Sequence, residues 1–259
     1  MVHLLRAECD VLARRVDLGE CDCMVDPLGG GGGGGGGGHL ADGSQCRVSR
    51  RAFLAKRAEV VSAGAAQCAD ADFDDVHAAV EEVLFTLLPA ALRALTGCAG
   101  GAGGAGPVYL FNQHYVVKGP RSDSAFGWHT DAEEQLALCL TAQARAQEYV
   151  SFWCPLDDCG APNTNGTLVV QPGFAEPPGS DADDAAGSDD GEQHDRGAEG
   201  VTISAAAGDV CAFSSRLWHA SGPNRSCAVR RVFYAQYSAQ PLADGSRDPN
   251  PISLAVPCQ

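Results

Sequence analysis

The sequence predicts an α+β protein in which a mainly β core, a barrel or a sandwich, follows a helical N-terminal region. Two observations support this prediction. Apolar residues recur at helical spacing in the first part of the chain, and runs rich in β-branched and aromatic residues recur from residue 108 onward. Turn sequences such as Asn165-Gly166 and Gly208-Asp209 separate the later runs. A chain of 259 residues suits one large domain.

Helical patterns make up the N-terminal region, which we predict to span residues 1–106. They cover three segments: 2–16, 51–63, and 74–97. We expect Pro89 to interrupt the third helix, because proline has no backbone N–H and clashes with the preceding turn. Ten consecutive glycines at 29–38 predict a flexible insertion after the first helix.

The predicted β core spans residues 107–240 and leaves 241–259 as a C-terminal tail. Six runs have the composition of strands: 108–118, 148–155, 167–171, 201–205, 210–213 and 229–237. Within the core, residues 176–199 carry nine acids and one base among small residues and proline. Such a segment has little apolar surface to bury, so we predict a disordered acidic insert there.

Charge and cysteine content exclude several classes of function. The formal net charge of −15 disfavours nucleic acid and anionic membranes as partners. No apolar run approaches the ~20 residues that a membrane span needs. The N-terminal segment contains Glu8 and Asp10 and has no apolar centre, unlike a secretory signal or a typical transit peptide. The twelve cysteines include no CxxC pair, so we expect reduced thiols in an intracellular, cytoplasmic protein.

Two histidines and one aspartate are candidate metal ligands. His129 and Asp131 stand two residues apart, which on an extended segment places both side chains on the same side. His219 follows a predicted strand and would supply a second imidazole. Two histidines and a carboxylate form the facial triad of non-haem Fe(II) oxygenases, which leaves positions open for a 2-oxo acid and dioxygen. The alternatives are a chance surface pair for the first two residues and an ordinary core histidine for the third.

Arg230, eleven residues after His219, is a candidate partner for a carboxylate of such a 2-oxo acid. Its guanidinium is a planar fork that binds a carboxylate through two hydrogen bonds. If Arg230 points inward from a strand, Arg231 points outward. Ser221, two residues after His219, would add a hydroxyl to the same pocket. Taken singly, these residues are equally compatible with a surface arginine pair and a turn serine.

These residues belong to two of six motifs that follow one another along the chain: FNQHYVVKGP, GWHTD, YVSFWCPLDD, NGTLVVQPG, AGDVCAF and WHASGPNRSCAVRRVFYAQY. In this order they resemble the phytanoyl-CoA dioxygenase family of Fe(II)/2-oxoglutarate oxygenases. The segment from the first motif to the last, residues 111–237, makes up about half of the chain, and LRAECDVLARR is similar to the leading helix of the family. HxD alone is unspecific, but its combination with NGxL, GD and H-x-S-G-P-N is specific.

The resemblance implies a double-stranded β-helix core, also called a jelly roll or cupin-like fold. The implied Fe(II) ligands are His129, Asp131 and His219. The implied 2-oxoglutarate contacts are Arg230, Ser221, Trp153 and His114. No catalytic residue beyond the metal ligands is implied. The implied reaction hydroxylates a small-molecule or acyl substrate with O₂ and releases succinate and CO₂, with ascorbate as a reductant.

Departures from the family pattern leave other functions open. Residues 171–174 read Gln-Pro-Gly-Phe where the family often has Pro-Gly-Ser-His, and no strand precedes the leading helix, which predicts a truncated chain. The alternative is therefore a non-catalytic jelly-roll module that binds metal or ligand without turnover. An oxygenase that modifies nucleic acid is disfavoured by the net charge. A carboxylate at Asp131 favours oxygenation over halogenation, because related halogenases have a small residue there.

Overall fold

A computed structural model describes residues 1–15, 24–25, 49–65, 73–97, 106–160, 164–173, 200–248 and 252–258. Within these ranges, helices pack on one face of the larger of two antiparallel sheets. The second face of that sheet is turned to the smaller sheet. The glycine run at 29–38 and the acidic insert at 176–199 lie outside the described residues.

The helical layer comes from the N-terminal region, as the apolar spacing predicts. Its helices are α1 (Val2–Arg15), α2 (Arg50–Ala65), α3 (Phe73–Glu82) and α4 (Leu88–Gly97), with a π-helical turn (Val83–Leu87) between the last two. Two short helices that the sequence did not predict follow later: α5 (Asp131–Leu136) and α6 (Ala142–Arg145). No helix within the described ranges has both the length and the apolar character needed to cross a bilayer.

The regular α-helix is interrupted next to Pro89, as expected: a π-helical turn separates α3 from α4, which begins one residue before the proline. The Leu88 N–H donates to the Val83 carbonyl five residues earlier, and Pro89 has no N–H to offer the next carbonyl, that of Leu84. The Tyr237 hydroxyl donates to this carbonyl instead, at 2.8 Å. A side chain of the sheet thus replaces the missing backbone donor, and the helix continues beyond the proline.

The strands follow the predicted runs and add shorter ones. In chain order they are β1 (Met24–Val25), β2 (Tyr109–Lys118), β3 (Phe126–His129), β4 (Val150–Pro155), β5 (Leu168–Val170), β6 (Val201–Thr202), β7 (Cys211–Ser214), β8 (His219–Ser221), β9 (Arg230–Ser238) and β10 (Val256–Pro257). The larger sheet has the order β1-β2-β9-β4-β7, and β10 also pairs with β2. The smaller sheet has the order β3-β8-β5-β6.

The segment that we predicted as a C-terminal tail contributes to the larger sheet. Val256 of β10 lies opposite Leu110 of β2, in an antiparallel pair. Leu242 and Leu254, which precede that strand along the chain, are buried as well. The end of the described chain therefore closes one side of the core instead of extending into solvent.

Side-chain alternation divides the larger sheet into an apolar outer face and a functional inner face. Phe152 and Phe233 point outward into the main hydrophobic core with the helices. Trp153 and Tyr234, their neighbours along β4 and β9, point inward and join a cluster with Leu168 of the smaller sheet. The polar residues of the candidate site lie on this inner face.

The seven cysteines in the described ranges are free thiols. Cys139 and Cys154 are buried, as expected of small core residues, whereas Cys211 is half-buried. Burial raises the pKa of the Cys154 thiol to about 12, and burial raises that of Cys258 to about 11. These thiols therefore stay protonated and contribute as small apolar side chains.

Tyr237→Phe should lower the free energy of unfolding by about 1–3 kcal/mol, because it leaves the buried Leu84 carbonyl without its donor. Urea denaturation checks this. The matched control is Tyr109→Phe at the half-buried end of β2, which should change stability by less than about 0.5 kcal/mol. Equal stability of the two variants would contradict the role assigned to Tyr237.

Candidate metal centre

A pocket between the two sheets brings together all seven residues that the sequence singled out. Its lining includes His114, His129, Asp131, Trp153, His219, Ser221 and Arg230. The larger sheet supplies three of them from β2, β4 and β9, and the smaller sheet supplies three from β3 and β8. The remaining residue, Asp131, begins α5.

The two imidazoles and the Asp131 carboxylate form a cluster with the spacing of a metal site. One ligand atom from each residue lies within 4.8 Å of the other two. His219 Nε2 is 3.7 Å from Asp131 Oδ1, and the centroids of the His129 and His219 rings are 4.2 Å apart. The structure thus brings together three residues that the chain separates by up to 90 positions.

Backbone carbonyls orient both imidazoles toward the centre of the cluster. His129 Nδ1 lies 2.7 Å from the Gly127 carbonyl oxygen, and His219 Nδ1 lies 2.9 Å from that of Leu217. With the proton held on Nδ1, each Nε2 presents a lone pair. Burial lowers the pKa of His219, although Asp131 acts in the opposite direction, so this imidazole is neutral near pH 7. Two imidazoles and one carboxylate fit a divalent transition metal such as Fe(II).

Among the described residues, Asp131 accepts side-chain hydrogen bonds through one of its two oxygens. Oδ2 accepts hydrogen bonds from the Ser151 hydroxyl at 2.5 Å and the Tyr234 hydroxyl at 2.6 Å. Burial, together with the Asp131 charge, raises the pKa of Tyr234 well above its ordinary value, so the phenol remains a donor. Oδ1 is the oxygen that faces His219, which leaves it directed into the candidate metal site.

His129 and Asp131 converge by a different route from the one predicted. We expected both on one extended segment, but β3 ends at His129 and Asp131 is the first residue of α5. Thr130 caps that helix by accepting a hydrogen bond from the Glu133 N–H at 3.1 Å. The change from strand to helix between the two residues thus brings their side chains together, in place of strand alternation.

Two buried cations lie at another part of the pocket wall. Lys118 Nζ donates to the Ser221 hydroxyl at 2.8 Å, and Arg230 Nη2 donates to the same oxygen at 2.9 Å. Ser221 in turn donates to the Gly166 carbonyl at 2.8 Å, and Arg230 also donates to that carbonyl. Lys118 and Arg230 are 0% and 1% exposed. Two positive charges so far from solvent suit the binding of a carboxylate.

The arginine pair divides between the two faces of β9, as strand alternation predicts. Arg231 points away from the pocket and forms ion pairs with Asp10 at 2.6 Å and Asp157 at 3.2 Å. Those pairs connect the strand to α1 and to the loop after β4. Arg230 is therefore the member of the pair that reaches the pocket.

His114 and Trp153 form part of the pocket wall on the larger sheet. His114 stacks on Tyr234 with ring centroids 5.0 Å apart, and Tyr234 lies opposite both residues in the strand register. Burial lowers the pKa of His114 to about 4, with a smaller opposing effect from Asp131. His114 is therefore neutral near pH 7 and offers hydrogen-bonding atoms without adding a third positive charge.

Comparison with known proteins identifies the family of this chain. A family model described as phytanoyl-CoA dioxygenase (PhyH) matches residues 48–232. The chain belongs to this family. The resemblance inferred from the six motifs is therefore confirmed. A comparison with curated proteins finds no match.

Solved structures similar to this PhyH-family chain include EvdMO1, at 26% identity, covering 51% of this chain and 27% of EvdMO1, with a TM-score of 0.35. AviO1 from Streptomyces viridochromogenes Tue57 is 22% identical, with 63% of this chain and 59% of AviO1 covered and a TM-score of 0.38. The epimerase SnoN, solved with Fe³⁺, alpha ketoglutarate and nogalamycin RO, is 18% identical. The match covers 66% of this chain and 70% of SnoN, with a TM-score of 0.42. The chain thus spans 27% and 59% of the first two proteins.

Sequence reasoning missed several polar residues of this PhyH-family site. The sequence analysis did not single out Lys118, although alternation along β2 places it on the same face as His114. It also did not single out Ser151, Tyr234 and Gln236. Alternation from Arg230 would have placed the last two on the inner face of β9, at every second position. Nothing local in the sequence marks Ser151, because its role depends on a contact with a residue of another element.

The depressed pKa of His114 predicts a loss of stability in acid. In the unfolded chain, His114 takes up a proton as the pH falls below its ordinary pKa of 6.5. In the folded protein it stays neutral until the pH approaches about 4. Stability therefore falls as pH falls through that window, by about 2 kcal/mol between pH 7 and pH 5 from this residue. In urea denaturation at the two pH values, His114→Gln should remove that share of the loss, and the exposed-site control His3→Ala should not. Equal losses in all three proteins would contradict the prediction.

Gly166→Ala should destabilise the fold by about 2 kcal/mol or more. Gly166 has a φ of +69°, and an added Cβ would lie 2.3 Å from the Gly222 carbonyl oxygen. Gly160→Ala is the matched control, since its Cβ would meet no atom within 4 Å. Thermal unfolding of both variants checks this, and an unchanged midpoint for Gly166→Ala would contradict the geometry.

Proposed function

We propose that this PhyH-family chain is an Fe(II)- and 2-oxoglutarate-dependent dioxygenase that hydroxylates a small-molecule or acyl substrate. The observation that carries the proposal is one pocket that holds both a His-Asp-His cluster and a buried pair of cations. The first fits a metal with open coordination positions, and the second fits the far carboxylate of a dicarboxylic 2-oxo acid. Membership of a dioxygenase family supports the combination.

In this proposal His129, Asp131 and His219 hold Fe(II), with no further catalytic residue. When bound, iron would supply the activation of O₂ coupled to the conversion of 2-oxoglutarate to succinate and CO₂, with one oxygen atom passing to the substrate. The protein contributes orientation: carbonyls of Gly127 and Leu217 hold the imidazoles, and two hydroxyls hold one oxygen of Asp131. We expect ascorbate to serve as a reductant.

Arg230 and Ser221 would bind the far carboxylate of 2-oxoglutarate, with Lys118 adding a second positive charge. Burial makes this contact strong, because water competes poorly for the charged groups there. Trp153 and His114 would then form the side wall along the cosubstrate. These four assignments, together with Lys118, place the cosubstrate between the cationic end and the metal ligands.

We infer that the two sheets are the halves of a double-stranded β-helix. From β2 to β9 the described residues form eight core strands, and the larger sheet contains the first, eighth, third and sixth of them in spatial order. The smaller sheet contains the second, seventh, fourth and fifth. Such interleaving between two packed antiparallel sheets is typical of a jelly roll. Residues 107–240 would then be the catalytic unit, to which β10 adds an edge strand.

The test is an anaerobic titration of the purified chain with Fe(II) and 2-oxoglutarate, followed by visible absorption. A bidentate 2-oxo acid on Fe(II) gives a weak charge-transfer band, which we expect for the unaltered chain and not for His129→Ala. His3→Ala is the matched control, because His3 is an exposed histidine of α1. A folded chain without the band, or a band that persists in His129→Ala, would overturn the proposal.

Arg230→Ala should raise the 2-oxoglutarate concentration needed for half of the band by about 10–100-fold, since it removes charge-assisted hydrogen bonds. Arg225→Ala is the matched control, because Arg225 is an exposed arginine on the loop before β9. If Arg230→Ala needs the same 2-oxoglutarate concentration for half of the band as the unaltered chain, Arg230 does not bind the cosubstrate carboxylate.

Turnover separates the enzyme from the alternative, a non-catalytic module that binds the same ligands. When O₂ is admitted to the protein loaded with Fe(II) and excess 2-oxoglutarate, the molar amount of succinate formed should exceed the molar amount of protein. A normal charge-transfer band without succinate beyond one equivalent would favour the binding module.

A further inference from the structure

Polar side chains form one hydrogen-bonded chain that ends on the Asp131 carboxylate. The Tyr149 hydroxyl donates to Gln135 Oε1 at 3.1 Å, and Gln135 Nε2 donates to Gln236 Oε1 at 3.1 Å. Gln236 Nε2 then donates to Ser151 Oγ at 3.1 Å, and Ser151 donates to Asp131 Oδ2 at 2.5 Å. Each member is connected to the next by a distance within the ordinary range for a hydrogen bond or slightly below it.

The carboxylate determines the direction of every bond in this chain. An ionised carboxylate only accepts, so Ser151 must donate its single proton to Asp131. Ser151 Oγ can then only accept from Gln236, which must present its amide nitrogen. The Gln236 oxygen therefore faces Gln135, and the Gln135 oxygen faces the Tyr149 hydroxyl. All dipoles point the same way and strengthen one another toward the negative charge.

We propose that Ser151, Gln236 and Gln135 are positioning residues that hold the Asp131 carboxylate in one orientation. The proposal rests on the proposed function, because it takes Asp131 as a metal ligand. Tyr234 adds a second hydrogen bond to Oδ2, so this oxygen is held by two donors while Oδ1 faces His219. A carboxylate held in this way offers the metal one oxygen, which keeps positions open for the 2-oxo acid and O₂.

The strand register explains how the chain reaches the carboxylate. Ser151 of β4 and Gln236 of β9 lie directly opposite each other in the larger sheet, and both are fully buried. Gln135 comes from α5, one helical turn after Asp131, and it also lines the pocket. The hydrogen-bonded chain therefore connects the pocket wall to the metal end through the middle of the sheet.

The test measures Co(II) affinity by visible absorption, without 2-oxoglutarate or substrate. Ser151→Ala should weaken Co(II) binding by about 10–100-fold, and Gln236→Met by about 10-fold, as for other residues that orient a metal ligand. The decisive variant is Ser151→Ala/Gln236→Met. Because Ser151→Ala already interrupts the chain, adding Gln236→Met should cost less than about 2-fold more. An equal cost of Gln236→Met with and without Ser151 would overturn the proposal.

Gln135→Met provides a test that does not disturb the buried sheet, since Gln135 is only half-buried on α5. It should weaken Co(II) binding by several-fold in the unaltered chain and not in Ser151→Ala. Gln143→Met is the matched control, because Gln143 is an exposed glutamine of α6. A Gln135→Met variant with unaltered Co(II) affinity would count against the proposal even if Gln236→Met fails to fold.

Failure of this proposal is distinguishable from failure of the proposed function. If the unaltered chain binds Co(II) and His129→Ala does not, the metal site stands. Unaltered affinity in Ser151→Ala and Gln135→Met would then overturn the positioning roles alone. If the folded, unaltered chain binds no Co(II), the metal site itself fails, and the positioning roles fail with it.

Discussion

The carboxylate of Asp131 connects the two sheets, and the site depends on how its two oxygens are divided. Asp131 follows β3 of the smaller sheet, whereas the hydroxyls that hold its Oδ2 come from β4 and β9 of the larger sheet. Its other oxygen lies 3.7 Å from His219 Nε2 on β8. Because the carboxylate is buried, loss of either hydroxyl would leave part of its charge without compensation. The same contacts therefore stabilise the packing of the sheets and prepare the metal site.

A second polar junction joins the sheets around Ser221. Lys118 and Arg230 reach across from the larger sheet, and Ser221 and the Gly166 carbonyl receive them on the smaller one. The pocket thus has a cationic part and a part with imidazoles and a carboxylate. This separation of charge would orient a dicarboxylic 2-oxo acid before any other contact forms, since its far carboxylate is attracted to one part and its 2-oxo acid group binds metal at the other.

Local pattern predicted most elements, but it could not show contacts between distant parts of the chain. Apolar spacing located the N-terminal helices and the interruption next to Pro89, but it could not show which group replaces the missing backbone donor. The Tyr237 hydroxyl supplies the missing donor there, from a residue 148 positions away. The structure brings the two members of the HxD pair together, but Thr130 caps a helix that begins at Asp131. The first of these contacts joins residues far apart in the chain, whereas the Thr130 cap lies within four consecutive residues.

The sequence by itself determined which residues are available: the HxD pair, His219, and the face of β9 that carries Arg230, since side-chain alternation is a property of any strand. It also determined the family, through the order of its motifs. Only the tertiary structure decided which side chains meet across strands and sheets. The bond between Gln135 and Gln236 spans 101 positions, and Lys118 meets Ser221 across 103. Alternation specifies the face of a side chain, but the register and packing of the strands specify its neighbour.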